Sequence, residues 1–536
     1  MNAPQPWFDV ALEERAVGPQ LAARLRDGAD RPFIRVEDDS WTFAEVDARS
    51  RAFARGLLAQ GVKPGDHVSV MLPNCAEFVF AWFGTALIGA VIVPIDPRLS
   101  GKLLDYMLVD STPRCLVVAQ ELLPALATAS AQVLEKIDCV VVLPGATQED
   151  KTVPALRRRV AWNDMLITSG PDPEQPVSGR DIAMVMYTSG STGMPKGVVM
   201  TSAHTFSSGI VMVRGVALRR DDVIFAPLPM FHGMSSRIGV FPALVTGASV
   251  FIAHRFSASG YWQQAAKCGG TVGLVVPTMP SLLTAQAPSP HDRAHKLRAL
   301  FNAPYLRGFD ERFNTLLVES YGLTEISHVV SAALHERRPG SCGRIQPGWD
   351  VRLLDEDGKE VPQGEVGEVV ARPKDRAMML QCYLNKPEAT REAIQGGWFH
   401  TADYGHFEPD GYFYFSGRKA ERIRKLGENI SAQEIEGMVM AHPAVAECAA
   451  LPLRALSGDD DVRIVVATRI GESVTPPALH EWLRDKLPRF MMPRYIEFTD
   501  SLPRTESGKV AKRVMITAGL SKTAWESIPS PSGAQA

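Results

Sequence analysis

Short, wholly apolar runs recur through the first half of the chain with amphipathic stretches between them. This alternation limits the fold more than any other feature. The runs are Val68–Leu72, Val91–Ile95, Cys115–Val118, Val140–Leu143, Ile182–Tyr187, Val223–Ala226, Ser249–Ile252 and Val272–Val276. A strand that is apolar throughout needs cover on both faces, as in parallel sheets flanked by helices. One intervening stretch, Phe43–Gln60, spaces its apolar residues as a helix does and stops at Gly61. The expected class is therefore α/β with more than one parallel sheet. At 536 residues the chain is too long for one ordinary core, which predicts a large domain and a smaller one.

Phe78–Ile95 carries no charge and is long enough to raise the question of a membrane span. Gly84, Gly89 and Pro94 interrupt it, and the stretch reads better as a helix from about Ala76 followed by a strand. With "DHVSVML" before it, this is a parallel βαβ unit, so no membrane span is expected. A net charge of −3 offers no broad attraction to nucleic acid or an anionic surface. Seven cysteines are scattered without a Cys-x-x-Cys pair, which fits a reducing compartment rather than a disulfide framework or zinc site. The opening "MNAPQPWFDVALEER" has neither signal-peptide nor transit-peptide texture, so the cytoplasm is expected. From about Asp350 the pattern changes to hairpins, with turns at "DEDG" and "PQGE", and after Arg418 to a compact α+β pattern.

The most chemical stretch is "YTSGSTGMPKGV", Tyr187–Val198. It lies between two strand-like runs, with Lys196 between Pro195 and Gly197. A P-loop lysine is instead followed by Ser or Thr and a helix. This is a strand–loop–strand device. The hydroxyls of Thr188, Ser189, Ser191 and Thr192 and the loop's N–H groups can donate to phosphate oxygens. Gly190 and Gly193 permit close backbone approach, and Lys196 adds a mobile positive charge. A generic Ser/Gly-rich turn would be read as a surface loop, but the full string is far more specific.

The string resembles the adenylate-forming enzymes, a family that includes acyl-CoA synthetases, adenylation domains of peptide synthetases and firefly-type luciferases. Further matches follow in that family's order: "ESYGLTE" (Glu319–Glu325), "GWFHTADYGHFEPDGYFYFSGR" (Gly397–Arg418), "KLGENIS" (Lys425–Ser431) and "LPRTESGKVAKR" (Leu502–Arg513). The resemblance implies a large domain of parallel-sheet subdomains with a small β-barrel-like part over 1–417, a hinge at 418–420 and a small mobile domain over 421–523; the polar, proline-rich ending "SIPSPSGAQA" is expected to make 524–536 a disordered tail. It implies ATP, Mg²⁺ and coenzyme A, and a small carboxylic acid as substrate. Thr324 would touch the α-phosphate and Glu325 would hold Mg²⁺, since a hard cation takes carboxylate and phosphate oxygens. Tyr321 would stack on adenine beside Ala303 and Gly322. Asp403 would accept from the ribose hydroxyls, and Arg418 would add a ribose or phosphate contact. Lys509 would bridge the carboxylate and the α-phosphate as two anions meet. Lys425, Gly427 and Glu428 would border the pantetheine tunnel after the small domain turns.

The sequence departs from that pattern in places. The hinge position usually held by Asp or Lys is Ala420, preceded by Lys419, and Asn302 stands where a glycine is usual. His232 falls at a position that gates the acyl site, with a packed core histidine as the plain alternative. Arg237 either faces an acyl pocket, so that the acid has a polar or anionic far end, or is a salt-bridged surface arginine. Asn302, Gly322 and Leu323 complete the expected pocket. "SYGLTEISHVV" and "GENIS" resemble the carnitine/crotonobetaine–CoA ligase branch more than long-chain fatty acyl ligases, while an aromatic acid stays open. The expected activity is acid–CoA ligation through acyl-AMP. One rival loads a carrier-protein thiol instead, and another keeps the fold as a non-catalytic nucleotide binder. Oligomeric state is open, a homodimer included.

Overall fold

The computed structural model describes residues 10–145, 156–188, 194–418, 423–425, 428–430, 432–454, 460–469, 471–504 and 510–527. The chain divides into two compact units: Met1–Pro280 with Pro288–Val351 and Val370–His400, and Ser281–Ala287 with Arg352–Val369 and Thr401–Ala536.

The apolar runs become the strands of two seven-stranded sheets in the first unit. One runs in the order Arg159–Ala161, Cys139–Leu143, Cys115–Ala119, His67–Met71, Val91–Pro94, Ile182–Thr188, Lys196–Thr201. Its strands pair in parallel until the last, which returns antiparallel to Ile182–Thr188. The other runs Leu316–Val318, Ala299–Phe301, Val272–Leu274, Val223–Ala226, Ser249–Ile252, Pro32–Val36, Asp39–Thr42, and only its final pair is antiparallel. Both sheets are thus parallel with one antiparallel edge strand, as large α/β sheets often are.

Helix Phe43–Ala59 forms where the periodicity placed it. Thr42 and Glu45 close a capping box at its start, and Gly61 takes a left-handed φ of 81° just past its end. The uncharged stretch is helix Ala76–Leu87 followed by strand Val91–Pro94. Among the described residues no helix is long and apolar enough to cross a membrane. Helix Ser202–Gly215 is buried on all but one of its positions even though it carries Ser202, His204, Thr205, Ser207 and Ser208. Its polar groups turn inward on themselves: Ser207 and Ser208 both donate to the His204 carbonyl, at 3.2 and 2.9 Å.

The second unit has a four-stranded sheet of Val445–Arg454, Asp460–Thr468, Tyr495–Phe498 and Trp525–Glu526, with helices Ala432–Met440, Pro476–Leu483 and Lys512–Ala518. Its core gathers Ile423, Ile435, Val445, Ile464, Leu479 and Ile496. One expectation needs correcting here. The segment 524–536 opens with an ordered strand, because Trp525 pairs with Ile496 and Glu526 bonds Arg494 at 2.8 Å. Residues 528–536 lie outside the described residues.

Candidate active site

The Ser/Gly-rich loop is held at both stems. Thr188 pairs with Lys196 and Tyr187 with Gly197 across the antiparallel edge. Helix Gly101–Ser111 grips each end: the Tyr187 hydroxyl donates to Asp110 Oδ2 at 2.8 Å, and the Tyr106 hydroxyl donates to the Pro195 carbonyl at 2.9 Å. Ser189, Gly190, Ser191, Thr192 and Gly193 lie outside the described residues.

"SYGLTE" is a hairpin rather than a helix start. Strand Ser320–Leu323 turns through Thr324, Glu325 and Ile326 into strand Ser327–Ser331. Gly322 is obligatory, because a Cβ there would sit 1.9 Å from the Ser327 carbonyl oxygen. Ser327 takes a left-handed φ of 57°, a conformation uncommon for a non-glycine residue. Thr324 is half-buried at the tip, Leu323 is half-buried beside it, and Tyr321 and Glu325 are buried.

Lys196 and Glu325, 129 residues apart in the sequence numbering, meet through a residue that no motif singled out. The Tyr383 hydroxyl donates to Glu325 Oε1 at 2.9 Å, and Lys196 Nζ lies 5.0 Å from the centroid of the same ring. Tyr383 is fixed by an isolated antiparallel bridge to Val198 and by its neighbours, since Leu380 N donates to the Glu325 carbonyl and Leu384 N to the Gly197 carbonyl, both at 2.7 Å. Burial first, then the Glu325 charge, push the Tyr383 hydroxyl above the usual phenol range, so it donates as a neutral phenol.

Asn302 explains its own departure from the family pattern. Its φ is 66°, in the left-handed region where Asn is among the few tolerated non-glycine residues. Its amide is also used: Ser320 Oγ donates to Oδ1 at 3.0 Å, and Nδ2 contacts Met234 Sδ at 3.7 Å. The buried Ala303 follows, with its N–H on the Val318 carbonyl at 3.1 Å. Glu319 stitches this segment to the hairpin by accepting from Tyr305 N and Gly340 N at 2.8 and 3.1 Å. Burial pushes its carboxyl up to about 8 against those two hydrogen bonds.

His232 is half-buried and heads a π-helical turn, Ser236–Val240. Ile238 N bonds Gly233 O and Val240 N bonds Ser235 O, at 3.0 and 2.9 Å. Such wide turns often mark functional sites. Arg237 sits on this turn and is 5% exposed, so it is not a surface arginine. Its Nη1 donates to Ser208 Oγ at 2.9 Å, and its Nε has no hydrogen-bond partner. Among the described residues no carboxylate lies within 4.0 Å of it. Burial lowers the guanidinium to about 10, partly offset by the charge of Glu325. His204, on the buried helix, also has both ring nitrogens unpartnered. Burial, then Arg237 and Arg376, hold it well below the usual histidine range, so its ring is neutral at pH 7.

In the second unit, Asp403 and Arg418 are directly opposite each other on a hairpin, with Arg418 Nε 3.4 Å from Asp403 Oδ1. Asp403 is 3% exposed, and Ala402 before it takes a left-handed φ of 56°. Backbone strain of that kind gathers at functional sites. Lys425 and Glu428 pair across a second hairpin, Ile423–Lys425 with Glu428–Ile430. Lys419, Ala420, Gly427 and Lys509 lie outside the described residues.

The AMP-binding enzyme family matches residues 21–384, and the AMP-binding enzyme C-terminal domain matches 434–509. The chain is an AMP-binding enzyme. Its sequence is 29% identical over 520 residues to a crotonobetaine/carnitine–CoA ligase of Salmonella paratyphi A, covering 96% of this chain and 98% of that relative. A Salmonella typhi protein of the same name is 30% identical over 481 residues, covering 88% and 92%. This AMP-binding enzyme also superposes on an anthranilate CoA ligase in complex with anthranoyl-AMP, with TM-score 0.86 at 25% identity over 96% of this chain and 98% of that one. ATP-bound MatB from Rhodopseudomonas palustris gives TM-score 0.81 at 26% identity over 94% and 99%. With CoA ligases on both the sequence and the structure side, this AMP-binding enzyme is an acyl-CoA synthetase of the AMP-forming class.

Sequence reading missed Tyr383, His204 and Ser208. Tyr383 stands within the matched region at "CYLNK", but a lone tyrosine there carries no chemical signature. His204 and Ser208 looked like ordinary helix residues. Only burial sets them apart, with the His204 ring nitrogens unpartnered and the Ser208 hydroxyl holding the Arg237 guanidinium.

Proposed function

We propose that the protein is an ATP- and Mg²⁺-dependent carboxylic acid–CoA ligase that works through an acyl-AMP. The observation that carries this reading is the convergence of Lys196 and Glu325 on Tyr383. A cation from the phosphate loop and a buried carboxylate from "SYGLTE" then face the same nucleotide. A carboxylate oxygen of the acid attacks the α-phosphorus of ATP, the bond to the β-phosphate oxygen breaks, and pyrophosphate leaves. Lys196 and the loop hold the departing β- and γ-phosphates, while Thr324 and Lys509 face the α-phosphate where charge accumulates.

Glu325 fits a hard cation, since it is a buried carboxylate oriented by the Tyr383 hydroxyl and can share the metal with phosphate oxygens. Mg²⁺ bound there would neutralise phosphate charge. Tyr321, Ala303 and Gly322 take the adenine. Asp403, oriented by Arg418, takes the ribose hydroxyls. A turn about 418–420, through Lys419 and Ala420, would separate the large domain, 1–417, from the small one, 421–523. It would exchange Lys509 for Lys425, Gly427 and Glu428. The thiol sulfur of coenzyme A then attacks the acyl carbon, and AMP leaves.

Acid-dependent exchange of pyrophosphate into ATP tests the first half, and thioester formation on free coenzyme A tests the second. Exchange with at least one acid, followed by acyl-CoA, is expected. No exchange with any acid would leave a non-catalytic nucleotide binder. Thioester formed only on a phosphopantetheinylated carrier protein would replace coenzyme A as the acceptor.

A further inference from the structure

The buried guanidinium of Arg237 has no carboxylate within 4.0 Å among the described residues, and the Glu325 charge reaches it only from farther away. Nη1 is used by Ser208, whose hydroxyl is already committed to the His204 carbonyl. The Nε–H of Arg237 is unpartnered, and neither ring nitrogen of His204 makes a well-aligned hydrogen bond, although the Thr324 backbone acts on that ring; the two residues are 5% and 0% exposed. A buried charge is normally paired, and a buried donor is normally satisfied. Here a cation and a neutral imidazole, on two different helical elements, are left able to donate together. Nη2 packs against the bare backbone of Gly233, where an added Cβ would sit 2.8 Å away. The π-helical turn Ser236–Val240 is what sets Arg237 at this position.

We propose that Arg237, held in place by Ser208, forms with His204 a subsite for a second carboxylate at the far end of the acid substrate, so that the enzyme ligates dicarboxylic acids. This rests on the ligase reading above and names its substrate class. A carboxylate offers two acceptor oxygens to the planar guanidinium and the imidazole N–H, and charge-assisted bonds of this kind are the strong ones. Met234, three residues before Arg237, touches Asn302 Nδ2 at 3.7 Å, and Asn302 accepts from Ser320 of the "SYGLTE" strand at 3.0 Å, so the subsite lies beside that motif and a short diacid fits better than a long one. The relatives named for carnitine and crotonobetaine take acids whose far end is a quaternary ammonium. Beside Arg237 such a cation would meet a like charge, so this chain departs from them in the far end it accepts.

The test is acid-dependent pyrophosphate exchange with matched pairs: butanedioate against butanoate, pentanedioate against pentanoate, hexanedioate against hexanoate, plus 4-(trimethylammonio)butanoate. The unaltered enzyme is expected to favour at least one diacid over its monoacid by roughly tenfold or more in kcat/KM. Arg237→Met should lower that diacid by about 100-fold while the monoacid changes by less than about threefold. Arg237→Lys, which keeps the charge but loses the planar fork, should fall between. A preference for the monoacid in every pair, or for the ammonium acid, overturns the proposal and leaves the ligase reading standing. So does a diacid preference that survives in both variants. Exchange with no acid at all overturns both. The comparison within the unaltered enzyme decides the matter even if Arg237→Met fails to fold.

Discussion

Two arginines are equally buried and differently answered. Arg463, in strand Asp460–Thr468 of the second unit, is 4% exposed and Arg237 of the first is 5% exposed. Arg463 has its partners: Nε lies 2.5 Å from Glu497 Oε1 on the neighbouring parallel strand, and Nη1 donates to the Met515 carbonyl at 2.9 Å. Glu497 is itself buried, at 6%. Arg237 has one neutral hydroxyl and an unpartnered Nε. Burial alone therefore says little about why a charge is inside. A completed pair is accounted for by the architecture, whereas an incomplete one calls for another explanation, which for Arg237 is the carboxylate subsite proposed above.

The largest expected effect breaks the completed pair. Glu497→Ala leaves the Arg463 guanidinium buried without its carboxylate, which should cost about 3–5 kcal/mol. Hydrogen exchange of the amides of strand Asp460–Thr468, read by mass spectrometry, measures this locally and avoids assuming that both units unfold together. A cost below about 1 kcal/mol would mean the pair is not structural, and the contrast with Arg237 would lose its reference.

A half-buried cation gives the next contrast. Lys196 stands over the Tyr383 ring at the loop stem, and its value should appear only with phosphate present. Lys196→Ala is expected to slow acid-dependent pyrophosphate exchange by about 100-fold, the scale of losing one transition-state donor. Thioester formation from preformed acyl-AMP should change by only about threefold, because pyrophosphate has already left. Equal damage to both half-reactions would place Lys196 with the architecture, alongside Arg463.

Tyr383→Phe probes the anionic side. It removes the hydroxyl that orients Glu325, a hydrogen bond to a charged group of about 1.5–3 kcal/mol. Water replacing the phenol should leave roughly a tenfold fall in exchange, with a higher Mg²⁺ concentration needed at half-maximal rate. Direct Mg²⁺ titration in the presence of ATP, followed by calorimetry, checks the same shift without turnover. An unchanged Mg²⁺ dependence would reduce Tyr383 to a packing residue.

The sequence exposed the two sheets and the helix Phe43–Ala59 because a doubly covered strand must be apolar along its whole length, and a capped amphipathic helix advertises both its period and its ends. Strand order was not visible. It depends on crossovers that bring Pro32–Val36 beside Ser249–Ile252, contacts that no local pattern encodes. In the candidate site, contiguous motifs were legible. Asp403 and Arg418 proved to be cross-strand neighbours, as two residues in one hairpin stretch can be. Tyr383 and His204 were not legible, because their significance lies in what surrounds them once the chain is folded. Asn302 was seen as a departure from a glycine, but only its left-handed backbone shows why asparagine can stand there. Trp525 was read as part of a disordered tail because polar, proline-rich surroundings concealed one pair of residues with a strand edge to join.

The smallest expected effect is the one that completes the contrast between the arginines. Arg237→Met removes a buried charge and one hydrogen bond to Ser208 while keeping a side chain of similar length. Losing the bond costs about 0.5–1.5 kcal/mol, and relieving the desolvated charge returns a comparable amount or more. The net change should lie within about 1 kcal/mol of the unaltered protein, and on the stabilising side if relief of charge dominates. Hydrogen exchange of the amides in Ser202–Gly215 and Ser236–Val240 reads it where it acts. If Arg237→Met instead loosened those helices as much as Glu497→Ala loosens its strand, Arg237 would be holding the fold together. Its unfilled donor would then be a defect that the fold tolerates rather than capacity kept for a ligand.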